Sequence, residues 1–167
     1  TGSDNVAIGK SALATEDGHG RNIAIGSGAL YYLNAGIDAQ NVAVGYNAGT
    51  VMTTGQYNVL LGGECGDALT TGSRNIGIGF RALGLEDAHG RNVAIGYYAL
   101  AALNGGADAY NVAIGYDTGK TVSTGASNVL VGAYAGDAIS TGNHNIALGR
   151  NALSAEDAHG YNIAIGG

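Results

Sequence analysis

A five-residue phrase recurs ten times along this 167-residue chain: Asn, then Val or Ile, then a mostly small residue, then an aliphatic residue, then Gly. Its Asn falls at Asn5, Asn22, Asn41, Asn58, Asn75, Asn92, Asn111, Asn128, Asn145 and Asn162, at intervals of 17 residues that become 19 twice. Four successive intervals add to 70, and that longer period is visible by itself: Thr1-Gly2-Ser3-Asp4-Asn5 returns as Thr71-Gly72-Ser73-Arg74-Asn75 and as Thr141-Gly142-Asn143-His144-Asn145. Self-similarity at a fixed short period is the mark of stacked repeats, none of which buries its apolar face alone. The chain reads as a single repeat solenoid over 1–167, with super-repeats at 1–70 and 71–140 and a partial one at 141–167, and as a segment of a longer fibre.

Within a phrase such as Asn22-Ile23-Ala24-Ile25-Gly26, a strand sends Ile23 and Ile25 to one face and Ala24 to the other. Helix is disfavoured by a Gly in every phrase and by the density of β-branched residues. Past the closing Gly, stretches such as Gly9-Lys10-Ser11-Ala12-Leu13 predict a second short strand. The rest of each repeat holds turn formers, either Ser/Thr-Thr-Gly, as at Thr53-Thr54-Gly55, or the Glu-Asp-x-His-Gly segments at 16–20, 86–90 and 156–160. The expected fold is all-β: a parallel β-roll or β-helix solenoid of about ten coils, 17–19 residues each, stacked at ~4.8 Å. Stacked Asn side chains would form an amide ladder along the axis. Stacked Val and Ile are expected to fill the inside of the coil, a thin core of two aliphatics per coil, so the small face is expected to meet sister chains. That places Ala7, Ala24, Ala43, Ala94, Ala113, Ala147 and Ala164 at an interchain contact, most simply around a threefold axis.

Composition narrows the functional classes. The 31 Gly occupy fixed places beside aliphatic residues, unlike a flexible linker, and without Pro or a Gly at every third position there is no collagen helix. A net charge of −6 with seven Lys and Arg provides no basic patch for nucleic acid. The apolar runs fall far short of the ~20 residues of a spanning helix, so no membrane insertion is expected in this segment. Cys65 takes the slot that Ala12, Ala29, Ala48, Ala82, Ala99, Ala135 and Ala152 fill elsewhere, and reads as a small buried residue.

Phrases such as Asn5-Val6-Ala7-Ile8-Gly9-Lys10-Ser11-Ala12 and Asn92-Val93-Ala94-Ile95-Gly96-Tyr97-Tyr98-Ala99 resemble the YadA-like head repeats of trimeric autotransporter adhesins and related repeats of phage tail fibres. The resemblance spans all ten repeats. It implies a left-handed β-roll assembled as a homotrimer, extracellular, on a bacterial surface or a phage virion. The coils of 17 and 19 residues are longer than the usual adhesin-head pattern and look more like the fibre-type repeats, a departure that puts any collagen- or matrix-binding inference in doubt.

Three chemical readings remain. Carboxylates beside imidazole in Glu16, Asp17, His19; Glu86, Asp87, His89; and Glu156, Asp157, His159 are ligand types for a divalent cation, the one cofactor the sequence suggests. Copies four coils apart would lie ~19 Å apart, so one chain cannot pool them, and the alternative is a turn in which Asp caps backbone N–H groups. Glycoside hydrolysis would need one carboxylate pair converging across a cleft, whereas Glu16 and Asp17 are neighbours repeated three times; no catalytic residue is assigned and no enzyme is expected. Among ten tyrosines, Tyr31, Tyr32 and Tyr98 are the candidate recognition aromatics, while Tyr46, Tyr97, Tyr116 and Phe80 are read as cover for the coil. The expected role is a fibre segment attaching its owner to a cell-surface glycan or protein receptor; the alternatives are a passive spacer, an ice-binding solenoid or a glycan depolymerase.

Overall fold

A computed structural model describes residues 2–16, 18–86, 88, 90–155 and 158–167. Ten three-residue strands, one per phrase, form a single parallel sheet in chain order: β1 (Val6–Ile8), β2 (Ile23–Ile25), β3 (Val42–Val44), β4 (Val59–Leu61), β5 (Ile76–Ile78), β6 (Val93–Ile95), β7 (Val112–Ile114), β8 (Val129–Val131), β9 (Ile146–Leu148) and β10 (Ile163–Ile165). Each residue pairs with its counterpart one coil on, as Val42, Ala43 and Val44 do with Val59, Leu60 and Leu61. The register is the same across the 19-residue coils, Ala24 pairing with Ala43 and Ala94 with Ala113, so their two extra residues are absorbed in the turns. Nine inter-strand steps at ~4.8 Å make a rod about 43 Å long.

Among the described residues, the second strand expected in each coil does not form. Counting from the Gly that closes a strand, the closing residue and the second and fourth after it have positive φ, as at Gly26 (132°), Gly28 (72°) and Leu30 (49°). A strand needs successive residues in the β region, and this alternation curls the chain instead. Backbone bonds still cross between coils, for example Leu30 N–H to the Ala48 carbonyl at 3.0 Å and Gly28 N–H to the Lys10 carbonyl at 3.0 Å. The closing Gly is required twice over at Gly62: its φ is 139°, and a Cβ there would sit 2.5 Å from the Gly79 carbonyl oxygen of the next coil.

The sidedness of the strands is the reverse of the expectation. Ala24, Ala43, Ala94, Ala113 and Ala147 are fully buried inside the single chain, while the flanking Val and Ile stay partly exposed, Ile23 at 36% and Ile114 at 38%. Ala7 and Ala164 occupy the same slot in the end coils, where Ala7 is exposed and Ala164 half-buried. These alanines line the coil rather than an outer contact face. The reason is space: Leu30, Leu33, Leu83, Leu100 and Leu103 enter from the curled half and are themselves fully buried, leaving room for a methyl opposite. Where the strand centre is Leu60 or Leu130, the facing slots carry Gly: Gly66 lies against Leu60 and Gly119 and Gly136 against Leu130. The core is therefore continuous and volume-matched within one chain.

The Asn ladder forms as expected. The side-chain oxygen of each Asn accepts from the backbone N–H of the next, as from Asn58 to Asn41 and from Asn75 to Asn58, both at 2.9 Å. Its amide donates to a turn carbonyl, either of the turn that ends its own coil, as Asn58 Nδ2 to Gly72 at 2.9 Å and Asn111 Nδ2 to Gly125 at 2.8 Å, or of the turn just before it, as Asn22 Nδ2 to Gly20 and Asn92 Nδ2 to Gly90, both at 3.2 Å. Some rungs add an amide-to-amide bond, Asn128 to Asn111 at 3.1 Å. The ladder ties strand, turn and neighbouring coil at one buried corner.

Candidate functional site

The acidic turns divide on inspection. Glu16 and Glu86 stand seventh after the closing Gly, the slot that Leu33, Met52, Leu69, Leu103, Val122 and Ile139 fill in other coils. Glu86 is accordingly fully buried, and Glu16 Oε1 accepts the backbone N–H of His19 at 2.9 Å, a capping bond within the turn. The Glu thus points into the coil, away from a solvent-facing ligand set. His159 gives its backbone carbonyl to Asn145 Nδ2 at 3.1 Å. Asp17, Asp87, His89, Glu156 and Asp157 lie outside the described residues. Among the described residues no three His, Cys, Asp or Glu side chains converge to hold a metal. The offset from the closing Gly, legible in the sequence, is the signal that would have identified the Glu as a core residue.

The aromatic residues fall into rows, because each coil sets its residues ~4.8 Å above the last. The first position after the closing Gly carries Phe80, Tyr97 and Tyr116, which stack with ring centroids 5.5 and 5.3 Å apart. These rings and Tyr46 are exposed, so they decorate the corner rather than cover the core. The second position carries Glu64, Arg81, Tyr98, Asp117 and Tyr134 in consecutive coils. Arg81 Nε donates to Glu64 Oε2 at 2.6 Å. Lys120 Nζ meets Asp117 Oδ2 at 3.1 Å and lies 5.0 Å from the Tyr98 ring centroid.

Beside this row runs a groove of about 510 Å³ over four coils. Arg81 and Tyr98 form one wall; the fifth and sixth positions, Asp67 and Ala68, Gly84 and Leu85, Ala101 and Ala102, and Lys120 and Thr121, form the floor and far side. Burial is the main cause that pushes the Asp67 carboxyl above its ordinary range, with Arg81 acting against it. Of the three sequence-predicted aromatics, the structure places Tyr98 in this groove. Tyr31 and Tyr32 lie four coils away, edge to face at 4.5 Å, in the floor positions that Ala101 and Ala102 occupy 70 residues later. The groove thus opens where the super-repeat departs from itself: two Tyr become Ala in the floor, and Gly28 becomes Tyr98 in the wall.

Cys65 is buried, as its slot implied, and burial pushes its thiol up to about 12. It is unsuited to nucleophilic work. Among the described residues, no helix is long and apolar enough to cross a membrane. Comparison with protein-family models, with curated proteins and with solved structures gives no match.

Proposed function

We propose that the chain is an attachment segment of an extracellular trimeric fibre, borne on a bacterial surface or a virion, that contacts a cell-surface receptor through the Tyr98 groove. The observation that carries this reading is the groove itself, a concave site of the ~300–1,000 Å³ size that takes small ligands, opened by a local break in an otherwise regular repeat. Identical chains would meet through the outward Val and Ile stripe, which runs along all ten strands and would leave a continuous apolar face in water if uncovered. The reading requires neither a cofactor nor a catalytic residue.

A passive spacer is the second reading, favoured by the unbroken register of all ten strands and by the Asn ladder, which are what a stiff rod needs. Binding of the isolated chain to intact cells and to a glycan array separates the two. Attachment predicts saturable binding that A101Y/A102Y, which fills the groove, abolishes. No binding at high concentration, where a longer fibre containing this segment does bind, would leave the spacer.

A further inference from the structure

We infer that the Tyr98 groove binds an uncharged pyranose, one or two rings of a neutral saccharide; this rests on the attachment reading and assigns its ligand class. Two features of the groove select that chemistry. Its floor and far wall are apolar and small, Ala68, Gly84, Ala101 and Ala102 beside the exposed Leu85, with the half-buried Tyr98 ring as the opposite wall. A sugar ring has one C–H-rich face that packs on such a surface, and hydroxyls at its edge that must find partners once out of water.

The rim supplies those partners without demanding charge. Arg81 is held by Glu64 and Lys120 by Asp117, so each cation already has its anion. An anionic ligand would have to displace one of these pairs and leave a carboxylate behind. A hydroxyl, which both donates and accepts, joins a paired guanidinium or carboxylate without breaking it. Asp67 and Thr121 add an acceptor and a hydroxyl at the two ends of the groove.

The chain also supplies its own controls. A101Y/A102Y installs the residues that the same floor positions carry at Tyr31 and Tyr32, and Y98G installs the residue that the same wall position carries at Gly28. Gly28 has a φ of 72° and Tyr98 one of 54°, so Y98G relieves a strained backbone rather than creating one. Both variants are built from solutions this fold already uses.

The test is saturation-transfer NMR on the 167-residue chain, with methyl hexopyranosides, a neutral disaccharide series and sialic acid as separate probes, each titrated against wild type, A101Y/A102Y and Y98G, with circular dichroism confirming the fold. The expected result is saturation transfer to the ring protons of a neutral pyranoside, with binding weakened about tenfold or more in both variants and none to sialic acid. Binding of sialic acid in preference to neutral sugars overturns the inference and leaves attachment standing. So does cell binding that the groove variants abolish but no neutral saccharide inhibits. Absence of both sugar and cell binding overturns the attachment reading along with it.

Discussion

At the scale of single residues, the Asn ladder and the Cys65 slot were legible because the repeat aligns equivalent positions ten times within one chain. An Asn retained in every copy while its neighbours vary must serve the repeat's geometry, and the Asn58 side chain makes three hydrogen bonds with nitrogen and oxygen partners, and a longer one to the Met52 sulfur, in a fully buried corner. Asn58→Ala removes them and leaves a buried N–H and a carbonyl short of partners, so it should cost about 2–4 kcal/mol in urea unfolding; a loss under about 0.5 kcal/mol would show that the ladder is ornamental. Cys65 should resist maleimide at pH 8 in the folded chain, because a thiol with a pKa of about 12 is ionised there only to the order of 10⁻⁴, and should react at once in denaturant. Glu86 was legible as a core residue by register and not by composition, since Glu-Asp-x-His-Gly reads as a polar turn. Only its distance from the closing Gly places it in the row of Leu33, Met52 and Leu69.

At the scale of the element, the strands were readable and their sidedness was not. Alternation of β-branched and small residues fixes which residues share a face but not which face is inside. That choice is made by residues elsewhere in the coil, such as Leu83, whose Cδ1 comes within 3.5 Å of where a Cβ on the strand-centre Gly77 would stand. The missing second strand has a similar origin, since Leu30 and Leu83 hold positive φ, at about 1–2 kcal/mol each, which no propensity anticipates. Packing across the lumen makes a strong prediction. Leu60→Ala should cost about 2–5 kcal/mol, and Gly66→Leu alone should also destabilise, because a Cβ there already comes within 3.0 Å of Leu60 Cδ2. Together they rebuild the Ala-and-Leu coil of β2 and β6, so the double variant should be more stable than the sum of the singles by at least about 1 kcal/mol. Simple additivity in thermal unfolding would refute the exchange of volume.

At the scale of the whole molecule, the ten-strand parallel rod follows from the period alone, and the groove lies where the period fails. A break such as Tyr31 and Tyr32 against Ala101 and Ala102 was visible in the sequence, yet its meaning depended on Tyr98 standing beside those alanines in the coil. The reversal of sidedness also moves the proposed lateral contact from the alanines to the Val and Ile stripe. Two neighbours on β7 separate these placements, Ala113 fully buried inside the coil and Ile114 38% exposed outside it. The most direct measurement is sedimentation equilibrium, with circular dichroism on the same samples, of wild type, Ala113→Gln and the pair Ile76→Lys with Ile114→Lys. Contact through the Val and Ile stripe predicts a trimeric wild type, a folded monomer for the Lys pair, and loss of folded structure for Ala113→Gln. A folded monomer from Ala113→Gln, or an intact trimer from the Lys pair, would contradict it.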